Sequence, residues 1–231
     1  MPVVGSSGAF RVGNNSTITS SEGKYSPTSI VSDYEDLEYF NYGEEFLRVE
    51  ALSSPPPYLE RLKLVGKLEK VPHWFCSLHA LTYLYLYGSR LEEDFLPHIE
   101  ALPSLHFLNL DDASVREELC FSSGFVKLRY LRFRNFALLN KITIEKGAMP
   151  NLEFLDIRSC MTLKTLPQGI EHLTKLQGYR FDNVSKKFRE SIKEGGVDHA
   201  RMLLVDKRCK KYTNESLPIE DFTHEFSFCS I

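Results

Sequence analysis

The chain has 231 residues, of which 42% are hydrophobic and 26% are charged, and its formal net charge is −3 at pH 7. This length allows one elongated domain with tails, and the slight acidity argues against a nucleic-acid partner, since nucleic-acid-binding proteins usually carry a basic surface. No apolar run approaches the ~18 residues of a membrane helix, so we expect no membrane span. The five cysteines are odd in number and widely spaced, which favours a reducing, cytoplasmic compartment.

Residues 1–45 form the first segment and contain no repeat unit. Gly5–Gly8 and Asn14–Thr17 are loop-forming stretches that offer little to bury. The acidic and aromatic run from Asp33 to Glu45 leaves two alternatives open, a disordered tail or a weak strand over the open end of the following domain. We favour disorder, and we therefore expect residues 1–45 to be a disordered or weakly structured N-terminal segment.

From residue 59 onward, the pattern L-x-x-L-x-L recurs six times at intervals of 22 to 24 residues. An apolar residue stands at every template position, although leucine is replaced by another apolar residue in the later copies. This period and pattern are the signature of a leucine-rich-repeat solenoid. The copies are Leu59-Leu62-Leu64, Leu81-Leu84-Leu86, Leu105-Leu108-Leu110, Leu128-Leu131-Phe133, Leu152-Leu155-Ile157 and Leu176-Tyr179-Phe181.

The second and third template positions are two residues apart, so they point to one side of an extended strand. The rest of each unit must return the chain, which makes successive strands parallel. Pro72, Pro97 and Pro167 each precede a helix-compatible stretch, where a proline in the first turn is tolerated. The predicted fold of residues 46–199 is therefore α/β, a solenoid of about six repeats with a curved parallel sheet on the concave side and short helices and loops on the convex side.

The sequence after the sixth repeat predicts a cover for the end of the solenoid. Val184, Phe188 and Ile192 recur at intervals of four residues, as on one face of a short helix, and Gly195-Gly196 ends it. The apolar run Met202–Val205 suits an additional strand. Beyond it the sequence has no period, and we expect residues 200–231 to be a flexible C-terminal tail.

Residues that flank the inward-pointing positions are expected to form three columns across the concave face. Tyrosine and arginine often anchor protein interfaces, so these columns are the predicted site for a protein partner. The alternative is that aromatic residues only stabilise the sheet. The columns read Arg61, Tyr83, Phe107, Tyr130, Phe154, Gly178; Lys63, Tyr85, Asn109, Arg132, Asp156, Arg180; and Val65, Tyr87, Asp111, Arg134, Arg158, Asp182. The candidate partner-binding residues are Tyr83, Tyr85, Tyr87, Phe107, Tyr130, Arg132, Arg134, Phe154, Arg158 and Arg180.

The sequence predicts neither an enzyme nor a cofactor or metal site. Its seven histidines are scattered, and it contains no G-x-S-x-G or H-E-x-x-H motif. Cys76 and His79 have the spacing of half a metal site, but no second half accompanies them. We interpret this pair as packing residues.

Two stretches, Gly147–Leu152 (GAMPNL) and Leu166–Ile170 (LPQGI), are the most specific part of a family resemblance. Together with the surrounding sequence from about Leu47 to Gly196, they resemble the last repeats of plant coiled-coil, nucleotide-binding, leucine-rich-repeat disease resistance proteins. Extracellular plant repeat receptors carry asparagine nine residues into each unit, and this ladder is absent. The equivalent residues here are Lys67, Ser89, Ala113, Phe136, Cys160 and Val184.

The resemblance implies a recognition and regulatory module in the defence response to pathogens. Its protein partner would be a pathogen effector, a guarded host protein or the switch domain of a receptor. The P-loop of that family, G-x-x-x-x-G-K-[ST], does not occur in this sequence, so we expect a repeat-only fragment or truncated paralogue that binds no nucleotide. Two alternatives remain, a stand-alone cytosolic scaffold and a degenerate receptor fragment without activity.

Overall fold

The computed structural model of the protein describes residues 58–213, Phe46, and the backbone of three short strands near the N-terminus. These strands are β1 (Ala9–Val12), β2 (Ile18–Ser21) and β3 (Ser29–Val31). β1 pairs with β2 in antiparallel and with β3 in parallel orientation. Most of residues 1–45 lies outside the described residues, so the expectation for that segment as a whole stays a prediction.

The repeats build one mostly parallel sheet. The remaining strands are β4 (Arg61–Val65), β5 (Tyr83–Tyr87), β6 (Phe107–Asp111), β7 (Glu118–Phe121), β8 (Tyr130–Arg134), β9 (Lys141–Ile144), β10 (Phe154–Arg158), β11 (Gly178–Asp182) and β12 (Lys210–Lys211). Their order in the large sheet is β12-β11-β10-β8-β6-β5-β4-β3-β1-β2. One strand from each of the six repeats therefore lies beside its neighbour, which confirms the predicted solenoid.

The leucine pattern supplies the core of the solenoid. Leu62, Leu84, Leu108, Leu131, Leu155 and Tyr179 pair with one another in a single register across the sheet. Every template position is at most 3% exposed, except Phe181, which is partly buried against the same cluster. Stacking of neighbouring repeats therefore buries a continuous apolar layer that no single repeat could bury alone.

The proline-marked return segments form short helices, as predicted. They are a 3-10 turn at His73–Ser77, the helix α1 (Leu96–Glu100) and a 3-10 turn at Ile170–His172. The third and fourth repeats differ, because β7 and β9 return as strands that pair in parallel. Their sequences, ELCF and KITI, contain no proline, and in both a buried residue alternates with an exposed or partly exposed one, which is the period of a strand.

The helix α2 (Lys186–Ile192) covers the last repeat, as the apolar stripe predicts. Its N-cap is Ser185, whose hydroxyl accepts a hydrogen bond from the backbone N–H of Phe188 at 3.0 Å. The same hydroxyl donates to the carbonyl of Leu163. Phe188 is fully buried and its ring packs edge-on against Phe181, with centroids 5.2 Å apart. The helix thus closes the apolar layer at this end.

The strand expected at Met202–Val205 is wrong, because these residues belong to the helix α3 (His199–Asp206). Met202 and Val205 are buried and three residues apart, which is helical spacing. Asp198 fixes the helix start by accepting from the backbone of Leu166 at 2.9 Å and from Arg201 at 2.8 Å. The extra strand occurs later, as β12, which pairs in parallel with β11. The predicted flexible tail therefore contains α3 and β12, and residues 214–231 lie outside the described residues.

In the described part of the chain, no helix is long and apolar enough to cross a membrane. α3 has 8 residues, whereas a transmembrane helix needs about 20.

The packing of α2 generates a first prediction. The substitution Phe188→Ala should lower the free energy of unfolding by about 3–5 kcal/mol, because it removes a fully buried ring and leaves a cavity. Leu204→Ala is the matched control, since Leu204 is 52% exposed and its loss should cost less than about 0.5 kcal/mol. Urea denaturation followed by circular dichroism measures both, and equal stability of the two variants would show that α2 is not part of the cooperative unit.

Candidate functional site

The three predicted columns exist, and they occupy the sheet face opposite the leucine core. We call this surface, formed by the column residues, the concave face. In the first column, Tyr83, Phe107, Tyr130 and Phe154 are direct partners on adjacent strands. The second and third columns keep the same register from β4 to β11. Equivalent side chains of successive repeats consequently lie beside one another, about 4.8 Å apart.

The aromatic residues of the first column pack as a ladder. Ring centroids are 6.0 Å apart for Tyr83 and Phe107, 6.2 Å for Phe107 and Tyr130, and 5.1 Å for Tyr130 and Phe154. The last pair is stacked at 3°, and Tyr85 joins from the second column at 5.1 Å from Phe107. Each such pair contributes about 0.5–1.5 kcal/mol beyond the area it buries, so the ladder stabilises the sheet.

Polar groups continue the concave face toward the carboxyl ends of the strands. The amide of Asn109 donates to the hydroxyl of Tyr87 at 2.8 Å. Burial and the nearby charge of Asp111 raise the pKa of Tyr87 to about 12. Burial also raises the pKa of Asp111, although Asn135 donates to this carboxylate at 2.7 Å and Arg134 lies 3.8 Å away. Both groups are therefore held in a region of low polarity.

A buried carboxylate with three arginines forms the electrostatic centre of the concave face. Asp156 is 0% exposed. Arg132 donates to it at 3.0 Å from β8, and Arg180 at 2.8 Å from β11. Arg158, two residues along the same strand, donates at 3.0 Å. We call these four residues the Asp156 clamp. One carboxylate faces three guanidinium groups, so the clamp carries a formal excess of positive charge.

The ionisation of Asp156 follows from this arrangement. Burial alone would raise its pKa, but hydrogen bonds from Arg180 and Arg158 and the charge of Arg132 outweigh burial and hold the pKa below its ordinary value. The carboxylate is thus ionised in the folded protein. Removing its charge would leave the three guanidinium groups facing one another in a buried site.

The predicted partner-binding residues divide into two groups by exposure. Tyr83, Arg134 and Arg158 are half-buried, and the side chains of Arg134 and Arg158 are 37% and 23% exposed. These three are accessible to a partner. The other predicted residues are at most 8% exposed, and they are Tyr85, Tyr87, Phe107, Tyr130, Arg132, Phe154 and Arg180.

Sequence reasoning overlooked the central role of Asp156 and the contribution of Tyr212. Asp156 stands between Arg132 and Arg180 in the second column, so the column order already contained a signal for an ion pair. Tyr212 follows β12 and packs edge-on against Phe154, with centroids 6.2 Å apart. Tyr212 lies in the predicted flexible tail, where the sequence has no periodic pattern that would indicate its position.

The described residues contain no group of three or more His, Cys, Asp or Glu side chains arranged to hold a metal ion. The thiol of Cys76 donates to the backbone carbonyl of His73 at 3.1 Å. Both Cys76 and His79 are exposed, so the interpretation of this pair as packing residues is wrong. Cys160 is buried, and burial raises the pKa of its thiol to about 12. The Cys76 thiol therefore bonds locally, and the Cys160 thiol packs in the core. The contacts that the concave face offers are aromatic and charged.

Comparison with known proteins identifies relatives of this chain. The chain matches the leucine-rich repeat region family over residues 30–201. It is 40% identical over 160 residues to Disease resistance protein RPM1 of Arabidopsis thaliana, which covers 69% of this chain and 17% of that protein. Probable disease resistance RPP8-like protein 2 of the same plant is 28% identical over 172 residues, covering 74% of this chain and 18% of that protein.

Disease susceptibility protein LOV1, also of Arabidopsis thaliana, is 28% identical over 195 residues, or 82% of this chain and 20% of that protein. The chain thus spans about a fifth of the length of the curated relatives it matches.

The Asp156 clamp generates the second prediction. Asp156→Asn should lower the free energy of unfolding at pH 7 by about 3 kcal/mol or more, since it leaves buried guanidinium groups uncompensated. Asp112→Asn is the control, because Asp112 pairs with Arg90 at a partly exposed site, where a single ion pair is worth at most about 1 kcal/mol. Chemical denaturation measures both variants.

The same variant has a defined pH dependence. The folded-state pKa of Asp156 lies below its unfolded value, so the stability that this charge contributes is complete above about pH 4 and is lost as pH falls through the folded-state pKa. The difference between the wild type and Asp156→Asn should therefore shrink below about pH 4. A difference that stays constant in urea denaturation down to about pH 3 would show that hydrogen-bond geometry, and not charge, dominates the clamp.

Proposed function

The chain belongs to the leucine-rich repeat region family and is homologous to plant disease resistance proteins, and we propose that it is a protein-recognition and regulatory module of an intracellular immune receptor. The observation that carries this proposal is the set of three columns in one register on the concave face. Such a surface presents a separate side chain from each repeat to one extended partner. The relatives' names, which refer to disease resistance and susceptibility, support the setting in plant defence.

The accessible part of the concave face decides which partner it fits. Among the column residues that are not buried, three are basic, Arg61, Arg134 and Arg158, and one is acidic, Asp182. A surface with this excess of positive charge and with accessible tyrosine and arginine side chains attracts a protein segment of opposite charge. The partner is accordingly a protein with an acidic surface, whether a pathogen effector, a guarded host protein or the switch domain of a receptor.

The proposed module acts by binding and not by catalysis. The charged groups at the centre of the concave face pair with one another, as in the Asp156 clamp, which suits a binding surface. We place its action in the cytoplasm, in agreement with the free thiols among the described residues.

The accessible residues generate the third prediction. The double variant Tyr83→Ala with Arg134→Ala should weaken binding to a partner at least about tenfold, because interface tyrosines and arginines often each contribute about 2 kcal/mol. Quantitative mass spectrometry of proteins retained by the immobilised chain from plant leaf extract measures this loss. The variant should lose the Tyr83–Phe107 contact of the ladder, so its free energy of unfolding should fall by only about 0.5–1.5 kcal/mol and the chain should remain folded.

The control for this experiment is Lys187→Ala with Arg189→Ala, on the exposed surface of α2. It should retain the same proteins as the wild type. If the double variant on the concave face retains them equally well, recognition occurs elsewhere on the chain. If no protein is retained by any variant in repeated extracts from healthy and infected leaves, the recognition role itself is wrong.

The fourth prediction concerns nucleotide. No P-loop occurs in the sequence, so the chain lacks the backbone cradle and lysine that bind phosphate groups. Isothermal titration calorimetry with ATP or ADP and Mg²⁺ should show no binding at up to millimolar concentration. Stoichiometric binding in this measurement would contradict a role limited to recognition.

A further inference from the structure

The last described residues of the chain lie on the concave face. After β12, the backbone N–H of Tyr212 donates to the carbonyl of Tyr179 at 2.8 Å. The ring of Tyr212 then packs on Phe154, and Lys210 places its ammonium group 4.7 Å from the centre of the Tyr212 ring. Glycine at position 178 makes this possible, because a Cβ there would lie 2.6 Å from the Tyr212 ring. Tyr212 thus fills the place in the aromatic column that Gly178 leaves open.

The residues that follow have a composition complementary to the concave face. Residues 214–231 contain four acidic side chains and no lysine or arginine. Three phenylalanines are interspersed with them. The acidic residues are Glu215, Glu220, Asp221 and Glu225, and the aromatic ones are Phe222, Phe226 and Phe228. The columns offer the opposite charge and an aromatic ladder, so ion pairs and ring contacts are both available.

The exposure of the column residues supports a covered face. Phe107 and Asn109 are each only 1% exposed, although they project from the outer side of a single sheet. Neighbouring columns, on strands ~4.8 Å apart, shield these side chains only from the sides. The carbonyl oxygen of the Asn109 side chain is buried and has no hydrogen-bond donor among the described residues. Such a surface suits a chain segment that adds both apolar cover and a donor.

Residues 214–231 are long enough to cross the concave face. Residues 214–231 reach roughly 60 Å when extended, at about 3.3 Å per residue. From β12 to β4 there are six strand spacings in the sheet, or about 29 Å at ~4.8 Å each. The segment can therefore cross the whole concave face, past the clamp and the aromatic ladder.

We propose that residues 214–231 bind the concave face of their own molecule, with carboxylates beside Arg134 and Arg158 and phenylalanine rings on the aromatic column. The segment continues the path that Tyr212 begins. It competes there with an acidic protein partner, and only this competition rests on the function proposed above. Binding of the segment itself is independent of any partner, so the two proposals can fail separately.

The test uses the full chain with the photo-crosslinking amino acid p-benzoylphenylalanine in place of Phe222. After illumination, mass spectrometry should find crosslinks within one molecule to peptides containing β6, β8 or β10. A mixture of light and isotope-labelled chains separates crosslinks within a molecule from those between molecules. Crosslinks from Phe222 only to α2, to convex residues or to another molecule, or no crosslinks at all, would overturn the proposal.

Two variants and one control define the chemistry of the contact. Glu220→Lys with Asp221→Lys should lower the crosslink yield about fivefold to tenfold, and added salt should lower the wild-type yield, because the attraction is electrostatic. Tyr212→Ala should also lower the crosslink yield, because it removes the ring contact with Phe154 without changing residues 214–231. Lys187→Glu, on the exposed surface of α2, should leave the yield unchanged. Equal yields in all four proteins would mean that the crosslinks reflect random collisions of a free tail.

The acidic run Asp33–Glu45 is the competing occupant, since it has a similar composition. The same probe in place of Tyr39 tests it. Crosslinks to β6 and β8 from Tyr39 and none from Phe222 would assign the concave face to the N-terminal segment and would overturn the proposal for residues 214–231.

Discussion

Six parallel strands share one register, and the properties of both sheet faces follow from this constraint. Because adjacent strands pair at equivalent positions, each side chain lies beside the side chain one repeat away. On the inner side this stacks leucine on leucine. On the concave side it stacks Tyr130 on Phe154 and sets Asp156 between Arg132 and Arg180. A slip of one residue would exchange the faces and would force charged residues into the leucine layer.

The Asp156 clamp shows how the register bears on electrostatics. A buried carboxylate is costly without close partners, and only the native pairing brings guanidinium groups from β8 and β11 to both of its sides. The clamp adds little net stability over an apolar replacement, in the manner of other buried ion pairs. It does penalise misaligned repeats strongly, since any shift would leave a charge buried alone. We infer that the clamp specifies the alignment of the last three repeats more than it stabilises them.

Much of this architecture was predictable from the sequence, because a strict repeat converts sequence position into spatial position. The template predicted the core and the columns, and prolines predicted the helical return segments. The pattern did not predict β7 and β9, because a short apolar run such as KITI is compatible with loop or strand until a neighbour pairs with it. It also did not predict α3 or Tyr212, since the repeat ends before them and their positions depend on contacts such as Asp198 with Leu166. The pattern likewise did not predict the partial exposure of Tyr83, Arg134 and Arg158, because exposure depends on how the neighbouring side chains pack.

The division between stability and recognition extends to the turns that follow the strands. Asp112, Asn135, Ser159 and Asn183 each adopt a positive φ there, a conformation that asparagine and aspartate tolerate better than most residues. The backbone of these turns is held by the next repeat, since Asp112 N–H donates to Arg134 and Asn135 N–H to Arg158, at 2.9 and 3.2 Å. Their side chains are half-buried or exposed and lie next to the accessible arginines of the third column. Main-chain hydrogen bonds from the next repeat thus hold each turn, so residues that tolerate a positive φ can replace one another at the exposed Asn183, for example, while the solenoid and its buried columns remain unchanged.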